Sequence, residues 1–347
     1  MILKRCSHVP IVLAFSLLLA SRADAQSEFR EVLPFMDSTF VGFAQARDAQ
    51  GRNQTTFEAD IVPNFVAHES LFKKLGTQFA RPNRQDRQAQ WAWSFTGVPM
   101  VKLRMFIFDP SAPVKTPSYM PKGTFQTLLF RPGKKAETVD LYAFQATVGH
   151  HSNGQDGCLY VTETGRDCTP PLGGITPSTP VNTSNGSFST NYLLFGGRYR
   201  FVRLKDSSTP AVKEGHLELT AGLDLELNPG GGGFLGGGGI DPDQKALYGP
   251  TRASGLFSAA ARDVSFCYRL EGKSSVKYIN GQLADGVSAF AETFEGTCLF
   301  KETGWGLMAR LYHGQDYYNL GFGQNVTRLQ FGLTYSQEGF LRFHVTP

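Results

Sequence analysis

From Trp91 to its C-terminus the chain alternates apolar and polar positions with the period of a β-strand. Gln90-Trp91-Ala92-Trp93-Ser94-Phe95 opens the pattern, and Phe125 to Phe130 and Val139 to Ser152 continue it. Ser189 to Arg203 has two distinct faces. Asn191, Leu193, Phe195, Gly197, Tyr199 and Phe201 share one; Tyr192, Gly196, Arg198 and Arg200 share the other. Leu217, Leu219, Ala221, Leu223, Leu225 and Leu227 then oppose His216, Glu218, Thr220, Asp224 and Glu226. Near the end, Trp305, Leu307, Ala309 and Leu311 share a face, as do Leu329, Phe331, Leu333 and Tyr335, and then Leu341, Phe343 and Val345. Before this region, Gln26 to Gln88 is polar and irregular and predicts no definite strand.

A strand with leucines on one side and charges on the other fits two settings. It suits a soluble sandwich with polar residues outward, or a membrane barrel with polar residues inward. Three features favour the barrel. The strands run to about ten residues, which crosses an outer membrane when tilted. Long loops (Asn153–Phe188, Asn228–Pro250) alternate with a short one (Lys205–Glu214). The chain also begins with an export signal: Lys4 and Arg5, an apolar core from Ile11 to Ala20, and an Ala23-Asp24-Ala25 cleavage site. The expectation is an all-β protein, an antiparallel transmembrane β-barrel in a Gram-negative outer membrane. Residues 1–25 are the signal peptide, 26–88 an N-terminal extension or the first strands, and 89–347 the barrel with its site. The final residue is Pro347, where bacterial barrels commonly carry an aromatic one.

Composition agrees. Charged residues make up 18% of the 347, below the usual quarter, while Gly (38) and Phe (28) are abundant. Loss of Lys4, Arg5, Arg22 and Asp24 with the signal lowers the formal charge from +4 to +2, which gives no reason to expect nucleic acid as a partner. The tract Gly230 to Gly239 lacks the strand–turn–helix setting and the lysine of a phosphate cradle, so it reads as an outer loop. Cys158, Cys168, Cys267 and Cys298 remain after the signal, an even number in an exported chain, with three possible pairings. Proximity favours Cys158–Cys168 and Cys267–Cys298.

The chemistry concentrates at Gly149-His150-His151-Ser152-Asn153-Gly154. Counting by twos from Tyr142 puts His150 and Ser152 side by side on an apolar strand face. A hydroxyl becomes a useful nucleophile once a neighbouring base takes its proton. The imidazole needs a third group to orient it, and Asn191, on the apolar face of the next strand, is the candidate. A carboxamide adds no negative charge, so a cation near the developing oxyanion is a natural complement. His151 points to the opposite face and reads as structural, as do His216 and His313.

His150-x-Ser152-Asn153-Gly154 followed by Ser187-x-Ser189-x-Asn191 resembles outer membrane phospholipase A. Ser111-x-Pro113 with Tyr119-x-Pro121 falls in register with a loop of that family. Leu311-Tyr312-x-Gly314, Tyr318-Asn319 and Asn325-x-Thr327-Arg328 match a stretch near its C-terminus. The resemblance implies a barrel of about twelve strands that hydrolyses phospholipid acyl esters, with calcium and on dimerisation. It implies Ser152 as nucleophile, His150 as base and Asn191 as orienting group, on the lipid-facing wall. Calcium would take the Gln155 backbone oxygen and the Ser187 hydroxyl, with Ser111 arriving from a second copy in a homodimer. The insert between Ser152 and Asn191 is longer than the family's, and Phe188 and Tyr192 stand where the family has arginines. Two other classes fit the pattern: a non-enzymatic barrel, pore or adhesin, with a silent motif, and a soluble secreted sandwich that binds through its loops.

Overall fold

The ring begins with β1 (Thr39–Asp48), β2 (Asn53–Ile61), β3 (Phe65–Glu69), β4 (Gln90–Phe106), β5 (Val114–Pro132), β6 (Thr138–Ser152) and β7 (Ser189–Asp206). It continues with β8 (Val212–Leu227), the short helix α1 (Pro242–Tyr248), β9 (Thr251–Val264), β10 (Cys267–Asn280), β11 (Phe290–Leu299), β12 (Trp305–Gln315), β13 (Asn325–Tyr335) and β14 (Arg342–His344). The computed structural model describes residues 34–48, 51, 53–69, 89–107, 114–133, 135, 137–160, 179, 181–182, 185–206, 212–229, 242–300, 304–338 and 342–344. The signal peptide, Ser111, Cys168 and the Gly230–Gly239 tract lie outside them.

β1, β2 and β4 to β13 form the closed antiparallel barrel of twelve strands, each paired with its neighbour in the chain. β1 pairs β13, and β8 pairs β9, so the ring of twelve closes on itself. β3 adds to β4 below β2, and β14 adds to the start of β8. The first two barrel strands thus fall inside the stretch from Gln26 to Gln88 that the sequence left unassigned.

The wall is apolar outside and charged inside. Phe43, Phe144, Leu223, Phe294, Trp305 and Phe331 are exposed outward, whereas Glu58, Arg104, Glu218, Arg269 and Arg328 are buried. This inverts the usual order of a soluble domain and matches a barrel surrounded by lipid. Burying those charges is possible because they pair. Arg104 donates to Glu58 (2.7 Å) and to Asp316 (2.8 Å), and Arg328 donates to Glu58 (2.8 Å). Further along the lumen, Glu218 takes Arg200 (3.2 Å) and Arg269 (3.1 Å).

Strand length differs around the ring. β1, β2, β11, β12 and β13 run to 10, 9, 10, 11 and 11 residues, as expected for a membrane crossing. β4 to β8 run to 17, 19, 15, 18 and 16 residues. The ten-residue expectation fails there, and four of these five strands share a buried apolar cluster. Ala92, Leu128, Phe130, Val139, Leu141, Ala143, Val202 and Leu204 form one buried cluster, with Phe35 packed on it.

The other end, with the long loops, carries a cap. Tyr160, Phe188, Leu247, Tyr248, Ala284, Leu320 and Phe322 make a second buried cluster drawn from three connections and the helix. Cys267 and Cys298 are joined, and Cys158 is also half of a disulfide.

Candidate active site

Even-numbered residues of β6 face outward, as the exposure of Tyr142, Phe144 and Val148 shows; Leu141, Ala143 and His151 face in and are buried. His150 and Ser152 continue the outward series. On β7 the outward series is odd-numbered, with Phe195 and Tyr199 exposed, and Asn191 belongs to it. Register sets His150 directly opposite Asn191 and Ser152 opposite Ser189. The alternation expected from sequence is therefore present on both strands.

The ring and the amide meet. His150 Nδ1 lies 2.7 Å from Asn191 Oδ1. An amide oxygen only accepts, so Nδ1 carries the proton and Nε2 is left as the acceptor. Asn191 is 3% exposed although it faces outward, so its neighbours shield this bond from solvent. Ser152 is not hydrogen-bonded to His150 among the described residues. It stands two residues further on the same face, about 6–7 Å away along the strand, and such contacts often tighten only when substrate is bound. Tyr119 of β5 pairs with Ser152 from the other side, with its ring partly exposed.

The inward side of the same strands is packed with aromatic rings. Gly149 pairs with Tyr192, and the Tyr192 ring lies where a side chain on Gly149 would be. The His151 ring meets the Phe188 ring edge-on at 4.8 Å, and Phe188 lies 5.2 Å from Tyr248 and 5.6 Å from Phe322. His151 thus faces inward, as the alternation predicts, and its ring packs against the cap. His313 is also partnered, through Thr327 at 2.8 Å. Sequence reasoning missed the Gly149–Tyr192 pair and the hydrogen bonds of the buried Asn153 side chain to the Phe188 N–H and the Gly186 carbonyl. Their signal was present: a glycine followed by two histidines mid-pattern, and an Asn-Gly step closing a strand.

The proposed calcium ligands Gln155 and Ser187 lie on adjacent segments. Gly157 bridges Gly186, and the Ser187 N–H donates to the Gly157 carbonyl at 2.7 Å. Among the described residues no group of three or more His, Cys, Asp or Glu is poised to hold a metal. A carbonyl and a hydroxyl are hard oxygen donors that suit calcium, and the lack of a carboxylate among them implies weak binding.

An apolar wall, a charged packed interior and a closed ring of antiparallel strands define the class: a barrel of the Gram-negative outer-membrane type. No family model matches the chain, and no curated protein matches it. Among solved structures, an active-site mutant of outer membrane phospholipase A from Escherichia coli is similar at 11% identity. That match covers 90% of this chain and 96% of the other, with a TM-score of 0.50. The calcium-bound dimer of the Salmonella typhi outer membrane phospholipase matches at 10% identity, over 91% and 98% of the two chains, with a TM-score of 0.46. The translocator domain of the Neisseria meningitidis autotransporter NalP matches at 9% identity, over 94% and 97%, with a TM-score of 0.29. The E. coli likeness is one of fold.

Proposed function

We propose that this protein is an outer-membrane phospholipase A, a serine hydrolase that cleaves phospholipid acyl esters at the barrel's outer wall. The observation that carries the reading is the His150–Asn191 hydrogen bond on the lipid-facing side, one side-chain repeat from Ser152. A wall in contact with lipid is where an acyl ester is available without leaving the membrane.

In the proposed reaction Ser152 Oγ attacks the ester carbonyl carbon while His150 Nε2 takes its proton. Asn191 holds the ring so that Nε2 faces the hydroxyl and steadies the imidazolium. The intermediate collapses, His150 returns the proton to the departing glycerol oxygen, and a lysophospholipid leaves. Water, deprotonated by His150, then releases the fatty acid from the acyl-serine. Gln155 and Ser187, with Ser111 of a second copy, would hold calcium, which supplies positive charge beside the oxyanion. A homodimer follows from that arrangement.

The packed lumen argues against the pore alternative. Among the described residues, buried ion pairs line the interior and an aromatic cluster packs at the long-loop end. The test is fatty-acid release from phosphatidylcholine micelles by purified protein, with and without a calcium chelator. Ser152→Ala and His150→Ala should each lower the rate at least a thousandfold, and chelation should abolish it. Release that survives Ser152→Ala would reject the assignment.

A further inference from the structure

Ser152 is the last residue of β6, at the final step of the β6–β7 ladder, where it faces Ser189. Immediately beyond, the chain turns through Gly154 (φ +67°) into a long insert that returns at Phe188. A strand end beside a long loop is where a ladder frays most easily. Any fraying here would move the hydroxyl relative to a ring that Asn191 holds fixed.

Asn153 sits at this junction and is 2% exposed. Its carboxamide oxygen accepts the Phe188 N–H at 3.0 Å and the Gln155 N–H at 3.3 Å. Its amide nitrogen donates to the Gly186 carbonyl at 2.8 Å. Its own backbone N–H donates to the Phe188 carbonyl at 3.1 Å. One side chain therefore ties the outgoing turn to the returning segment and satisfies polar groups that burial would otherwise leave unpaired. The Phe188 ring is anchored in the cap, so the junction is braced from inside.

We propose that Asn153 is a positioning residue for the hydrolytic site, fixing Ser152 against His150 by clamping both ends of the insert. The inference rests on the phospholipase reading above. It is separate from the orienting of the ring, which belongs to Asn191, and Asn153 need not touch substrate. Loosening the clamp misplaces the nucleophile by a fraction of an ångström to an ångström, enough to slow chemistry about a hundredfold. Substrate affinity depends on the outer wall and should stay unchanged.

The experiment compares wild type, Asn153→Ala, Asn153→Asp and Ser152→Ala in detergent micelles. It measures kcat and KM on phosphatidylcholine, the rate of covalent labelling by an alkyl fluorophosphonate, and folding by heat-dependent gel mobility. Asn153→Ala should stay folded, lose about a hundredfold in kcat and in labelling rate, and keep its KM. Asn153→Asp retains the oxygen that accepts from Phe188 and Gln155 but turns a second acceptor oxygen toward the Gly186 carbonyl, so it should recover only part of that loss. An Asn153→Ala protein within threefold of wild type would overturn the proposal. So would equal impairment of both Asn153 variants in step with reduced folding. Wild type that neither turns over lipid nor labels at Ser152 would instead overturn the phospholipase reading, and this inference with it.

Discussion

At the scale of single residues, the site depends on which atom of His150 is free. The 2.7 Å contact to Asn191 Oδ1 fixes the Nδ1–H tautomer and leaves Nε2 as the accepting nitrogen. Removing the acceptor frees the ring to take the other tautomer or rotate. Asn191→Ala should therefore lower kcat about a hundredfold or more with little change in KM. Asn191→Asp keeps an acceptor oxygen in place and should stay within about tenfold of wild type. Steady-state kinetics on phospholipid micelles checks both. Equal losses in the two variants would mean that bulk at this position, not hydrogen bonding, supports the ring. The outward facing of His150, Ser152 and Asn191 was legible because period-two counting needs only local sequence. Asn153 was legible only as part of a motif, because its partners Gly186 and Phe188 lie far along the chain.

At the scale of elements, the strands read well where one face is apolar and the other polar, as on β6, β7, β8, β12 and β13. They were obscure where both faces are apolar. β1 carries Phe40, Ala44 and Ala46 inward and Val41 and Phe43 outward, so no alternation shows. β4 and β5 were read only in part because proline argues against a strand interior. Pro99 and Pro121 face each other across these strands. Pro99 lies opposite the gap between β2 and β3, and Pro121 where the β5–β6 ladder skips from Lys122–Gly149 to Tyr119–Ser152. Missing N–H groups thus fall where no ladder partner was needed. The β6–β7 pair has its own local requirement. Gly149 must lack a side chain because the Tyr192 ring covers it. Gly149→Ala should destabilise the barrel by about 1–3 kcal/mol through overpacking, and Gly149→Ala/Tyr192→Leu should recover most of that. Denaturant unfolding in micelles reads both, and a neutral Gly149→Ala would show that the ring can swing aside.

At the scale of the whole molecule, one buried charge cluster joins distant parts of the ring. Glu58 of β2 accepts from Arg104 of β4, Arg328 and Gln330 of β13, and Tyr317 of the β12–β13 connection. Asp316, in that same connection, accepts from both terminal guanidinium nitrogens of Arg104, at 2.8 and 3.1 Å, and from Arg328 at 3.3 Å. The cluster fixes the connection that carries Leu320 and Phe322 into the cap, and so braces the cap behind Phe188. Burial pushes the Asp316 carboxyl up, but Arg104 and Arg328 outweigh it and hold it at about 2, against an ordinary 3.8. A carboxyl held low stabilises the fold fully above its ordinary value and loses that stabilisation as pH falls through its folded value. The size follows from the two values, at about 2 kcal/mol. Asp316→Asn removes the charge at every pH. The stability gap between wild type and Asp316→Asn should therefore be constant from pH 7 to about 4 and shrink by about 2 kcal/mol toward pH 2. Guanidinium unfolding in micelles across that range measures it. A gap that stays constant down to pH 2 would mean that Asp316 stabilises the barrel by shape and hydrogen bonding, and that its charge contributes nothing to the stability of the fold.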